Sequence, residues 1–147
     1  FKRNNKATFM SQDKVKKIIS LCEKHWDKHQ KNCSGFVKDI ASEIGIKITG
    51  QANDIVDQLN GPDWKKCKDG VEARQKAIEG HFVVGGLKAT PNGHVVVVVL
   101  GPLAHGKYPT AYWGSIGGVA KKNTTINWSW NKTDRDLVTY AYRTFKL

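Results

Sequence analysis

Long apolar runs and an even number of cysteines are both missing from this chain of 147 residues. The longest apolar run, residues 95–100, is far too short to span a bilayer, and no basic-then-apolar signal segment opens the sequence. The three cysteines, Cys22, Cys33 and Cys67, cannot all pair within one chain, so at least one is a thiol, a metal ligand or an intermolecular partner. We therefore expect a soluble mature protein without membrane insertion.

Carboxylates are also missing from a long internal stretch. No Asp or Glu occurs from His81 to Asn131, so any carboxylate chemistry must come from the first 79 residues or from Asp134 and Asp136. Over the whole chain, 24 Lys and Arg outnumber 13 Asp and Glu, which gives a net charge of +11. This excess predicts an anionic partner or surface, such as nucleic acid, phospholipid or a bacterial envelope, without choosing among them.

The composition is otherwise that of a globular protein. With 39% hydrophobic and 25% charged residues, the chain has enough apolar side chains to build a core, which excludes intrinsic disorder. A chain of 147 residues has the usual length of one domain. We predict a single domain over residues 1–147, in which residues 1–10 form a flexible basic arm.

Helical spacing of apolar side chains dominates the first half of the chain. It predicts helices over residues 11–30, 33–44 and 52–59, and a fourth helix over residues 71–79. Asn32 and Ser34 are both candidate caps for the start of the second helix, and Gly45 suits its C-terminal end.

Strand patterns dominate the second half. The β-branched runs at residues 82–84 and 95–100 flank a turn with the dipeptide Asn92-Gly93, which is a strong hairpin signal. Further strands are predicted at residues 110–116 and 126–130. Residues 134–145 alternate as a strand would, but a capping-box pattern at Thr133 favours a helix there. Helices followed by strands predict an α+β fold, with N-terminal helices packed on an antiparallel sheet.

Cys33 is a candidate nucleophile because it lies at the predicted first turn of the second helix. Free N–H groups and the positive end of the helix dipole stabilise a thiolate there and lower its pKa. The same N–H groups would hold the oxyanion of a tetrahedral intermediate. A buried, unreactive cysteine is the alternative interpretation.

His94 is the candidate partner of Cys33. It follows the Asn92-Gly93 turn and opens the apolar run of the predicted central strand, where a general base would be held rigidly. A cysteine at a helix start followed by a histidine at a strand start is the chain order of papain-like cysteine hydrolases.

Six short motifs in this order resemble the type VI secretion amidase effectors, small peptidoglycan-cleaving cysteine amidases with an NlpC-type, papain-like fold. The resemblance covers most of the chain, from about Cys22 to Tyr142, and omits the basic N-terminus. The motifs are Asn32-Cys33-Ser34-Gly35-Phe36-Val37, Gly93-His94-Val95, Gly101-Pro102-Leu103, Lys107-Tyr108-Pro109, Gly114-Ser115-Ile116 and Asn131-Lys132-Thr133-Asp134-Arg135-Asp136.

The resemblance implies hydrolysis of an amide in the peptide stem of peptidoglycan, with Cys33 as nucleophile and His94 as general base and acid. It points first to the bond between D-glutamate and meso-diaminopimelate, and second to the crosslink between diaminopimelate and D-alanine. Such effectors are secreted into a rival's periplasm and neutralised in kin by an immunity protein, and some relatives are secreted antibacterial factors of animals. We expect a monomer that uses no cofactor.

The sequence departs from the family where a third catalytic group is expected. In the effectors that it resembles, a cysteine can precede Gly-Ser-Ile, whereas Trp113 stands there in this chain. An indole N–H donates and accepts nothing, so Trp113 cannot accept a hydrogen bond from His94. The orienting group must be a backbone carbonyl, Ser115, another neutral group or a distant acid. Candidate substrate-binding or oxyanion residues are Ser34, Asn32, Trp113 and Ser115.

Two other interpretations remain open at this point. The spacing of Cys22, His25, His29 and Cys33 would suit zinc on one continuous helix, but the helix start predicted near Cys33 interrupts that face, so we predict no metal. The net charge of +11 alone would suit a non-catalytic binding module for cell wall or nucleic acid. We favour the amidase, for which no nucleic-acid partner is expected.

Overall fold

A computed structural model describes the backbone of residues 2–147 and the side chains of residues 9–147. The helices of this part of the chain are α1 (Lys2–Trp26), α2 (Cys33–Glu43), α3 (Ala52–Leu59) and α4 (Gly70–Ile78), with short 3-10 helices at Asp27–His29, Ile126–Trp128 and Arg135–Leu137. Its strands are β1 (Lys65–Cys67), β2 (Phe82–Leu87), β3 (His94–Val98), β4 (Thr110–Trp113), β5 (Lys121–Thr125) and β6 (Thr139–Arg143).

One antiparallel sheet carries the fold, with strand order β1-β6-β2-β3-β4-β5. The predicted hairpin is present, because β2 and β3 pair from Leu87↔His94 to Val83↔Val98 around the Asn92-Gly93 turn. The α+β prediction, with N-terminal helices on an antiparallel sheet, is confirmed.

Both faces of the sheet are covered, which explains why β3 is a continuous run of valines rather than an alternating strand. Val95, Val97 and Val99 pack with α1, α2 and α3 on one face. Val96 and Val98 pack on the other face, with α4 and the segment around Ile126. The first residue of β3 is therefore held at the end of a strand that is fixed from both sides.

The start of α2 lies where β3 begins and β4 ends. Ladder pairs join Val97↔Tyr112 and Val98↔Ala111. Directly after β4, Gly114 contacts the segment before α2, because a Cβ at this position would overlap the carbonyl oxygen of His29. Glycine is therefore required at residue 114 for the loop and the strand to approach so closely.

The first helix begins earlier in the chain than predicted. Helix α1 begins at Lys2 rather than near residue 11, so the backbone of residues 2–10 is helical. Residues 2–26 contain no Gly or Pro and are rich in helix-forming Lys. The sequence therefore has no helix-breaking residue between residue 11 and Lys2, and the helix continues to Lys2. The side chains of residues 1–8 lie outside the described part of the chain.

One strand prediction and one helix prediction are also wrong. The strand expected at residues 126–130 lies earlier, at Lys121–Thr125, because the N–H of Ile126 bonds the carbonyl of Pro109 and the chain turns there into a 3-10 helix. The helix favoured for residues 134–145 is instead mainly β6, which pairs with both β1 and β2. Backbone hydrogen bonds to a strand on each side of β6 outweigh the local signal for a helix cap. No helix in the described residues is long and apolar enough to cross a membrane.

Candidate active site

The start of α2 is fixed by the side chain of Asn32. Its Oδ1 accepts hydrogen bonds from the N–H of Gly35 at 2.9 Å and from Oγ of Ser34 at 3.1 Å. Asn32 is therefore the N-cap, and Cys33 is the first residue of the helix, as the sequence predicted.

The structure places Cys33 against the beginning of β3. Its side chain is buried, and backbone N–H groups of Val95, Ser34 and Cys33 itself lie near enough to the sulfur to favour its thiolate form. Val95 directly follows His94 in the chain. The thiol thus lies beside the segment that carries the candidate base, although residues 33 and 94 are far apart in sequence.

The electrostatic state of the thiol differs from the expectation. Burial raises the pKa of Cys33, and the three N–H groups that favour the thiolate offset this only in part. The predicted lowering of the Cys33 pKa is therefore wrong for the free protein. Cys33 therefore rests as a neutral thiol, which needs a base to become a thiolate.

His94, the first residue of β3, lies among aromatic rings. Its ring centroid is 4.9 Å from that of Trp130 and 6.3 Å from that of Trp113, and both indoles meet the imidazole edge-on. Burial among these groups lowers the pKa of His94 to about 4. The imidazole is consequently neutral near pH 7 and available to accept a proton.

Ser129 is the polar group that contacts the imidazole. Its Oγ lies 2.6 Å from Nε2 of His94. A neutral orienting group was expected, but Ser129 itself was missed because the pattern of residues 126–130 indicated a strand, and no local signal distinguishes this serine. Trp113 does not fill this role, since its Nε1–H donates to the carbonyl of Val119 at 2.9 Å.

Two adjoining clefts expose the site. The larger, of about 410 Å³, is bordered by His94, Ser115 and Ser129, and the smaller, of about 40 Å³, by Cys33 and Ser34. The residues common to both borders are Asn92, Gly93 and Ile116. A substrate chain lying across this shared border would reach both the thiol and the imidazole.

Helix α3 holds the hairpin that forms the shared border. Asn53 accepts a hydrogen bond from the N–H of Ala89 at 3.1 Å and donates one to its carbonyl at 2.9 Å. A Cβ at Gly93 would overlap Oδ1 of Asn53, so the close approach requires glycine. These contacts set the position at which His94 begins β3.

The candidate substrate-binding residues divide into two groups. Ser115 borders the larger cleft, and its N–H bonds the carbonyl of Gln30 at 2.9 Å. The buried side chain of Ser34 is engaged within the protein, because its Oγ also lies 3.0 Å from Oε1 of Gln51. Roles for these residues in binding substrate or the oxyanion stay predictions.

The residues considered for zinc do not converge. Helix α1 ends at Trp26, His25 pairs with Glu43, and Nε2 of His29 lies 2.6 Å from Asp39. Within residues 9–147, no three His, Cys, Asp or Glu side chains are grouped as metal ligands. The two histidines join the end of α1 and the loop after it to α2 instead.

A thiol at a helix N-terminus, placed against a strand that begins with a histidine, is consistent with a papain-like amidase. No family model matches the chain. The peptidoglycan amidase Tse1 of Pseudomonas aeruginosa is 41% identical, and the alignment covers 84% of this chain and 86% of Tse1. The chain therefore belongs to the type VI secretion amidase effector family, which its motifs resemble.

Proposed function

We propose that this protein is an antibacterial peptidoglycan amidase that cleaves the bond between D-glutamate and meso-diaminopimelate in the peptide stem. One observation carries the mechanism: the Cys33 thiol lies against the backbone of β3 directly after His94, at adjoining clefts. The similarity to a peptidoglycan amidase supports the substrate class, and the resemblance of the motifs supports the particular bond.

The reaction begins from a neutral thiol and a neutral imidazole. His94 accepts the proton of Cys33 as the sulfur attacks the amide carbon, and backbone N–H groups at the start of α2 stabilise the oxyanion. His94 then gives this proton to the departing amine of diaminopimelate, and the C–N bond breaks. Water, deprotonated by His94, hydrolyses the thioester and releases the D-glutamate carboxylate and the thiol.

The location and partners follow from the same proposal. The protein is secreted and acts in the periplasm or cell wall of the target bacterium, and kin cells carry an immunity protein that inhibits it. The net charge of +11 favours association with an anionic envelope.

Digestion of purified sacculi tests the proposal. Mass spectrometry of the released muropeptides should show new ends at D-glutamate and diaminopimelate with the unaltered protein. Cys33→Ala and His94→Ala should each abolish these products. Cys67→Ala is the matched control, because Cys67 lies in the cluster on the opposite face of the sheet from Cys33, and this variant should retain cleavage.

Three outcomes would contradict the proposal in different ways. Cleavage between diaminopimelate and D-alanine would reject the assigned bond but keep the amidase. Cleavage that persists in both active-site variants, or intact sacculi with all proteins, would reject the mechanism or the activity.

A further inference from the structure

We propose that Ser129 is a positioning residue that holds His94 with its ring proton on Nε2, which leaves Nδ1 free to take the proton of Cys33. The inference rests on the proposed Cys33–His94 mechanism and supplies its missing third member. In papain-like sites the orienting group is often on the neighbouring strand, which is β4 here. Ser129 instead follows the 3-10 helix Ile126–Trp128.

The neighbours of the imidazole leave Ser129 as its acceptor. Oγ of Ser129 is 2.6 Å from Nε2, which is close enough for a hydrogen bond. Trp113 and Trp130 contact the ring, but an indole N–H has no acceptor. The Ser129 hydroxyl accepts a hydrogen bond from Nε2–H. Its own hydrogen is then directed to the cleft, which Ser129 borders.

The backbone around Ser129 holds this hydroxyl in place. Ile126 is fully buried, and its N–H bonds the carbonyl of Pro109 at 3.0 Å. The carbonyl of Ile126 in turn accepts from the N–H groups of Ser129 at 2.9 Å and Trp130 at 3.1 Å. The 3-10 turn is thus anchored in the core, and Oγ stays aligned with the imidazole.

The consequence is a defined route for one proton. In the free protein the Nε2 proton points at Ser129, so the lone pair of Nδ1 is the basic one. When the thiol proton moves to Nδ1, the ring becomes a cation and its Nε2–H bond to Oγ strengthens. The Nε2 proton never leaves the ring.

Nitrogen NMR of His94 tests the tautomer without substrate, so its result is independent of the amidase activity. At pH 7, the ¹⁵N shifts of Cys33→Ala protein should show Nε2–H with unprotonated Nδ1. Adding Ser129→Ala should increase the Nδ1–H form, whereas adding Ser42→Ala, at the far exposed end of α2, should not. A ring protonated on Nδ1, or a tautomer indifferent to Ser129, would overturn the proposal.

Kinetics on a soluble muropeptide provide the second readout. Ser129→Ala should lower kcat roughly 10- to 100-fold, the loss expected for a hydrogen bond to a group that becomes charged, and leave KM nearly unchanged. Ser129→Thr, which keeps the hydroxyl, should recover most of kcat. An unchanged kcat in the folded alanine variant would reject the role, and so would an equal loss in the threonine variant. Inactivity of the wild type would count against the proposed function alone.

Discussion

His94 combines a buried ring with a neutral hydrogen-bond partner, and this combination sets its protonation state. A carboxylate beside the ring would favour imidazolium, whereas burial beside a serine disfavours it and lowers the pKa to about 4. Burial likewise raises the pKa of Cys33. The two groups therefore rest uncharged near pH 7, and in the proposed reaction charge separates only when substrate is bound.

The lowered pKa of His94 predicts a pH dependence of stability. Between the ordinary histidine pKa of 6.5 and the folded value of about 4, the unfolded chain binds a proton that the native protein does not, so stability decreases as pH falls. A shift of this size corresponds to about 3 kcal/mol. Urea denaturation should show that, between pH 7 and pH 4, the free energy of unfolding decreases less in His94→Gln than in the wild type. Parallel losses would contradict the burial of a neutral imidazole.

The position of Cys33, the first residue of α2, depends on contacts with neighbouring residues. Asn32 caps the helix through Gly35 and Ser34, and the loop before it packs on Gly114 at the end of β4. Cap and loop together fix where the sulfur of Cys33 lies relative to β3. The start of the helix is therefore part of the proposed catalytic geometry as well as of the fold.

Removal of this cap should affect stability and activity together. Asn32→Ala leaves the N–H of Gly35 without its acceptor and should lower the free energy of unfolding by about 1 kcal/mol. It should also lower kcat, since the first turn of α2 frays where Cys33 lies. Asn32→Ser keeps a capping oxygen and should restore both values, as measured by urea denaturation and muropeptide turnover. An alanine variant with wild-type stability and turnover would exclude this role of the cap.

The elements that sequence predicted well are those with local causes. The start of α2 depends on its neighbouring cap, and the β2–β3 hairpin depends on the Asn92-Gly93 turn. Strand β6 was missed because its partners, β1 and β2, lie far away in sequence. Ser129 was missed for the same reason, since it meets His94 across 35 residues. The absence of local carboxylates predicted a neutral orienting group but could not select this serine.

At the scale of the whole molecule, the sheet separates two clusters of buried side chains. Cys22 lies with Cys33 in the cluster under α1, α2 and α3, whereas Cys67 lies in the cluster on the opposite face. All three are free thiols. The core is therefore stabilised by apolar packing on both faces of the sheet, without a covalent link between them.

This arrangement predicts a fold that is indifferent to the redox state of its surroundings. A protein made in a reducing cytosol and used in an oxidising envelope should keep the same stability in both, because no disulfide forms or breaks. The melting temperature should be equal with and without dithiothreitol, and protein denatured without reductant should titrate as three free thiols. In the native state, a small alkylating reagent should react faster at Cys33, which borders a cleft, than at Cys22, which is fully buried. A lower melting temperature in reductant, or a single titratable thiol, would show a disulfide and contradict the three free thiols of the structure.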